Sequence, residues 1–156
     1  MDRIGTIRTF VIDILKTQAK NEGSLQAAYA HLYGVSYMTA LIAAKRGANV
    51  ELATIAGMLH DIASFILVDV TSANHAEKST VLAMEYLLDI NITSLEETEI
   101  ICDAIKKHSD KMNIDSLLYE VLKDADVLAH GLFNVPNKNF RTYRWNDLCK
   151  EFGLQI

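Results

Sequence analysis

The sequence predicts an all-α fold, a compact bundle of about six to seven helices. Three observations carry this expectation. One proline, Pro136, and seven glycines are all that interrupt 156 residues, so little stops helix propagation. Apolar residues recur at spacings of three and four along most of the chain, which is the period of one helical face. Residues suited to starting and stopping helices stand between those stretches.

The first helix is predicted over 4–18, with Ile4, Ile7, Phe10, Val11, Ile14 and Leu15 on one face. The second runs over 24–46 through Leu25, Ala28, Leu32, Val35, Met38 and Ile42. Gly47 suits its end, because glycine accepts a left-handed backbone without a Cβ penalty. A third helix, about 51–63, carries Leu52, Ile55, Ala56 and Leu59. The stretch LVDVTSA (67–73) reads as a connection, having too few β-branched residues for a strand. Asn74 with Glu77 three residues on resembles an asparagine variant of the capping box, opening a helix from His75 to about Leu88. Ser94 and Glu97 form a cleaner S-x-x-E box ahead of TEIICDAIKKH. Asp115 is placed to cap a helix over roughly 116–130. Beyond Pro136 the tail is less periodic and is expected to end in a short helix. No repeat, low-complexity segment or linker divides the chain, so residues 1–156 read as one domain, with a core at 24–132 and a tail at 133–156.

Composition narrows the function classes. Half the residues are hydrophobic and the net charge is −5, with no long basic run. That disfavours long nucleic acid and anionic membrane as partners. Cys102 and Cys149 have no C-x-x-C spacing and read as reduced thiols of an intracellular protein. MDRIGTIRTF lacks the apolar run of a secretory signal, and no stretch approaches the roughly 18 apolar residues of a membrane span. A cytoplasmic location is the expectation; a homo-oligomer is left open.

The stretch IAGMLHDIASFIL, Ile55 to Leu67, is apolar almost throughout, yet His60 and Asp61 stand side by side within it. Burying such a pair is costly unless it is hydrogen-bonded, ion-paired or metal-bound. Two more histidines fall on apolar stripes: His31, three after Ala28 and four before Val35, and His108, four after Ala104 and seven after Ile101. His75 stands at a helix start. His130 ends a helix and looks least constrained. Any one inward histidine is ordinarily a hydrogen-bonded core residue. Three on three helices, one followed by aspartate, make the ligand set of a divalent transition metal such as Mn, Fe, Co, Ni or Zn. Adjacent helical residues point about 100° apart, so His60 and Asp61 reach one ion only at their shared edge. One further carboxylate is needed. In LYEVLKDADVLAHG, Asp124 and Asp126 flank the apolar face on opposite sides, and the helical wheel does not choose between them.

The ordered set resembles the HD-domain superfamily of metal-dependent phosphohydrolases. That family shows a histidine, then His-Asp, then a distal aspartate often preceded by alanine. Here the set reads His31 in AYAHLYGV, His60-Asp61 in AGMLHDIA and Asp126 in KDADVL, with 29 positions from His31 to His60. The resemblance covers about 24–132 and favours Asp126 over Asp124, which it leaves as an edge residue. It implies one tightly held metal on His31, His60, Asp61 and Asp126. A second, weaker metal would be bridged by Asp61 and held by His75 and His108. Several two-metal members have a second histidine where this chain has Ser109, and many have a lysine where it has Ser64.

The chemistry implied is hydrolysis of a small phosphorylated substrate: a nucleotide, another phosphomonoester or a small phosphodiester. A bound metal lowers the pKa of water, and Asp61 is the expected catalytic carboxylate. Lys78, three after His75 on the same face, and Ser109 are expected to meet the substrate. Lys111, Arg141 and Arg144 are further candidate phosphate partners. A non-catalytic metal- or nucleotide-binding sensor with the same fold is the alternative.

Overall fold

The computed structural model describes residues 2–133 and 142–155. Among them are eight helices and no strand. They are α1 (Arg3–Gln18), α2 (Glu22–Arg46), α3 (Val50–Leu59), α4 (Ile62–Ile66), α5 (His75–Ile90), α6 (Leu95–Lys107), α7 (Leu117–Phe133) and α8 (Thr142–Phe152). The all-α class is the predicted one. The count exceeds six to seven because the helix expected over 51–63 is two helices, α3 and α4, broken at His60 and Asp61.

The long α2 is the spine, with α3 on one side and α7 on another, while α5 and α6 pair with each other. The predicted stripes are the buried ones. Ile7, Val11 and Leu15 of α1 and Ala28, Leu32, Val35 and Ile42 of α2 are fully buried, and they join one apolar cluster with α3, α5, α6 and α7. Arg3 ties α1 to two other helices through Glu51 of α3 and Glu97 of α6. No helix among the described residues is long and apolar enough to cross a membrane.

The caps divide into those that form and those diverted to other work. Gly47 ends α2 in the left-handed conformation, φ 75°. Ser94 and Glu97 make both bonds of the capping box at α6. The box expected at Asn74 does not form. Helix α5 begins at His75 as predicted, but the Asn74 amide closes the loop before it, accepting from the Thr71 N–H at 2.7 Å and donating to the Asp69 carbonyl at 3.3 Å. Asp115 does not cap α7 either. The Ser116 carbonyl accepts the Glu120 N–H, and the Asp115 carboxylate pairs with Lys107 and Lys123 at 2.9 and 2.6 Å. Lys123 is completely buried, and an interior ammonium requires anionic partners. Asp115, Glu120 and the Asn113 carbonyl supply them.

The tail returns to the bundle. Arg144 of α8 reaches Asp124 and Glu120 of α7, each at 2.8 Å. Arg46 at the end of α2 reaches Asp124 at 2.7 Å and also Glu151 of α8. Asp124 is therefore not a solvated edge residue. It is buried, with a guanidinium on each oxygen.

Two helix-interior glycines have opposite surroundings. A Cβ on Gly57 would stand 2.8 Å from the Ser36 Cα, so that glycine allows α3 to approach α2. A Cβ on Gly34 would meet nothing within 4 Å, so packing does not account for it. Gly34→Ala should raise stability by about 0.5–1 kcal/mol through helix propensity. Gly57→Ala should lower it by about 1–3 kcal/mol through overpacking. Urea midpoints of the two variants decide the matter; equal stabilities would mean that the α2–α3 approach is not close.

Candidate metal centre

The chain break at His60 and Asp61 solves the problem posed by two neighbouring ligands on one helix. His60 closes α3 with helical backbone, while Asp61 leaves it at φ −124°, ψ 16°. The Asp61 side chain starts α4 without capping it, although aspartate is a favoured capping residue. An N–H released by the break, that of Ala63, is taken up by the Ser79 hydroxyl of α5 at 3.2 Å. The carboxylate is thus free to turn inward, toward the same space as the His60 ring.

Around it stand histidines from four other places in the fold: His31 from the middle of α2, His75 at the start of α5, His108 at the end of α6, and His130 near the end of α7. His31 Nε2 and His60 Nε2 are 3.1 Å apart. Asp61 Oδ2 is 3.4 Å from the first and 3.7 Å from the second. Asp126 Oδ1, from α7, is 3.7 Å from His31 Nε2 and 3.9 Å from His60 Nε2. The other oxygen of Asp61, Oδ1, faces the remaining pair, His108 Nε2 at 3.3 Å and His75 Nε2 at 3.7 Å. One carboxylate therefore presents one oxygen to each of two histidine pairs.

Three of the rings are oriented by the same device. His60 Nδ1 donates to the Gly57 carbonyl at 2.9 Å, His75 Nδ1 to the Ser72 carbonyl at 2.9 Å, and His108 Nδ1 to the Ile105 carbonyl at 2.7 Å. A carbonyl only accepts, so Nδ1 carries the proton, and in a neutral ring Nε2 is a lone pair. Burial is complete at His60 and pushes its pKa down to about 3, so this ring is neutral at ordinary pH. Its Nε2 lone pair then faces the Asp61 carboxylate at 3.7 Å with no proton of its own to donate. Asp61 Oδ1 is buried and receives no hydrogen bond from the described residues.

That arrangement is unfavourable by itself and favourable around a cation. Burial alone would raise the Asp61 carboxyl, yet the group lies well below the usual carboxylate range, because positive charge shared among the imidazoles around it favours the anion; a bound cation would act in the same sense. At Asp126 the same effect of burial is outweighed by Lys111 and His130. Ligand atoms about 2.0–2.2 Å from one ion stand about 3.0–3.5 Å apart at ideal angles, close to the 3.1–3.9 Å that separate His31 and His60 from each other and from each of the two aspartates. Three groups in this structure could each hold an ion: His31 with His60 and Asp61; Asp61 with His75 and His108; and His31 with Asp126 and His130. The residues fit divalent transition metals.

The six residues expected as ligands are brought together, and of the two aspartates it is Asp126 that joins them. Several of the residues expected to meet substrate have partners of their own. The Lys78 ammonium is paired with Asp69. Ser109 lies half-buried in the turn after His108. Arg144 is held by Asp124 and Glu120 rather than folded over the site, and Arg141 lies outside the described residues. Lys111 is buried; it supports Asp126 through an ion pair of 2.7 Å and also donates to the Lys123 carbonyl.

His130 was the histidine that sequence reasoning set aside. Its Nε2 is 3.2 Å from Asp126 Oδ1, and its ring centre is 4.6 Å from that of His31. The overlooked signal is its spacing. Asp126 and His130 are four apart, hence neighbours on one helical face.

A helical bundle with clustered histidines and aspartates from four helices and a helix junction defines an all-α protein with a candidate metal site. The HD domain matches residues 28–131, two-thirds of the chain, and the protein belongs to this family, the HD superfamily of metal-dependent phosphohydrolases. Among curated proteins it is 32% identical over 113 residues to Ribonuclease Y of Oceanobacillus iheyensis and 27% identical over 113 residues to Ribonuclease Y of Streptococcus sanguinis. Each alignment covers 72% of this chain but only 20% and 19% of the relatives. The chain thus spans about a fifth of the length of the curated relatives it matches. No solved structure matches it significantly.

The two aspartates of α7 should behave differently on removal. Asp126→Ala should abolish tight metal binding, read by elemental analysis of the purified protein. Asp124→Ala should leave metal content unchanged but lower stability by about 1–3 kcal/mol, because two guanidinium groups lose a partner, or roughly 3–10 °C in melting temperature. Loss of metal from the Asp124 variant, or its retention at full stoichiometry by the Asp126 variant, would reverse the assignment.

Proposed function

We propose that this chain is a metal-dependent phosphohydrolase acting on a small phosphorylated substrate: a nucleotide, another phosphomonoester or a small phosphodiester. The observation that carries this reading is the Asp61 carboxylate, set with one oxygen toward each of two pairs of imidazoles, three of the four oriented by backbone carbonyls. In this reading His31, His60, Asp61 and Asp126 hold the first divalent metal. His75 and His108 hold a second, with Asp61 between them. When bound, such ions supply Lewis-acid activation of water and of the phosphoryl oxygens.

The chain's own residues do the rest. The carbonyls of Gly57, Ser72 and Ile105 fix three imidazoles with Nε2 toward Asp61, which removes the need to reorganise them on binding. Lys111 holds the Asp126 carboxylate ionised and aimed. Asp61 is the base that takes the proton from the attacking water, the one carboxylate facing both histidine pairs. The second site would be the weaker of the two: Ser109 stands where another histidine would add a ligand, and Asp61, His75 and His108 alone would leave room for water and phosphate.

The relatives are named as ribonucleases, which makes an RNA phosphodiester the second reading for the substrate. Against a long strand stands the net charge of −5, since affinity for nucleic acid comes largely from neutralising phosphates. A hydrolysis screen on protein of known metal content, using phosphomonoesters, small phosphodiesters and short RNA, tests the proposal. The expected result is turnover of a small ester that stops on chelation and returns with added metal. Asp61→Asn should lower turnover at least about 1,000-fold. His75→Ala or His108→Ala should lower it more than 10-fold at metal concentrations that fill both sites of the unchanged protein, while the tightly held ion stays. Metal-replete protein inert toward the whole panel would make this a non-catalytic sensor, and turnover of RNA alone would establish the nuclease reading.

A further inference from the structure

Beside the metal cluster lies a cleft of about 540 Å³. One wall is α2, through Ala30, Gly34 and Met38; Phe65 and, from α7, Leu132 complete it. Its remaining character comes from His31 and His130, the two rings that stand 4.6 Å apart at the edge of the cluster. The cleft and the cluster therefore share a wall, and among the described residues the space beside a phosphoryl group at the cluster, on the His31 side, is this apolar cleft.

We propose that this cleft receives the organic group of the substrate and that this group is apolar, an aryl or alkyl substituent rather than a sugar or other polar moiety. The inference rests on the phosphohydrolase reading for the phosphoryl end. Three features lead to it. The volume is that of a site for a small molecule. Apart from the two imidazoles, the side chains named above offer no hydrogen-bonding group, and a polar substituent buried there would lose its water without replacement. The third feature is Gly34. It occupies the interior of α2, its Cβ would meet nothing within 4 Å among the described residues, and it lines this cleft. A residue unfavourable to the helix, and not required by any neighbour, keeps the space open.

The test uses two phosphonates that resist hydrolysis, 1-naphthylmethylphosphonate and methylphosphonate, titrated calorimetrically into manganese-loaded protein. The naphthyl compound should bind at least 10-fold more tightly. Gly34→Phe should reduce that advantage to less than 3-fold while leaving methylphosphonate and metal content unchanged; Gly34→Ala should preserve most of it. Leu132→Asn, on the opposite wall, provides a second route to the same loss should Gly34→Phe fold poorly. Equal affinities in the wild type, or an advantage untouched by both Gly34→Phe and Leu132→Asn, overturn the inference and leave the metal reading standing. 1-Naphthylmethanol binding as tightly as its phosphonate keeps the cleft as an apolar site but overturns the phosphoester it was proposed to serve. Failure of all three compounds to bind overturns both.

Discussion

The constraint on which the rest of the structure depends is the Asp61 carboxylate in an apolar interior. Its neighbours in sequence, from Leu52 to Ala63, are nearly all buried. A charge placed there must be compensated, and the energy at stake exceeds that of any single packing contact. The fold meets the requirement by interrupting a helix. Between α3 and α4 the backbone changes direction at one residue, and His60 and Asp61, which would diverge on a continuous helix, face the same space. The other helices bring their histidines to that point: α2 from its middle, α5 from its start, α6 from its end.

Outward from the carboxylate each layer holds the next. The Nδ1 donors to carbonyls three residues back select the tautomer that leaves Nε2 facing inward. Lys111 holds Asp126. Beyond it a separate ionic group, Arg46, Asp124, Arg144, Glu120 and Glu151, fastens α8 across α2 and α7. Asp124 and Asp126 are two residues apart on one helix and belong to different systems: one is saturated by arginines, the other shares its surroundings with imidazoles. Metal binding and bundle cohesion are thus separable properties of α7.

Much of this was legible before the structure. The buried stripes of α1 and α2 follow from spacing alone, as do the stop at Gly47 and the box at Ser94. The inward placement of His31, His60 and His108 also follows from spacing, because side-chain direction in a helix is periodic. What could not be read were features decided by distant partners. The break at Asp61 has no proline or glycine to announce it; it is sustained by tertiary contacts such as the one from Ser79. Asp115 was diverted from capping by Lys123, and Lys78 is paired with Asp69. Both are pairings across several residues that local pattern does not encode. The choice of Asp126 needed the family resemblance, since the wheel treats its two candidates alike. His130 was accessible all along through its four-residue spacing from Asp126, but only once Asp126 had been chosen.

The central claim is that the facing carboxylates and imidazoles are a metal site rather than a network of charged histidines. Diffraction from crystals grown with manganese, with anomalous difference density measured at the manganese edge, tests it most directly. The account predicts a peak about 2.0–2.3 Å from His31 Nε2, His60 Nε2, Asp61 Oδ2 and Asp126 Oδ1. Absence of anomalous density among those four atoms, with Asp61 instead held by protonated imidazoles, would contradict it.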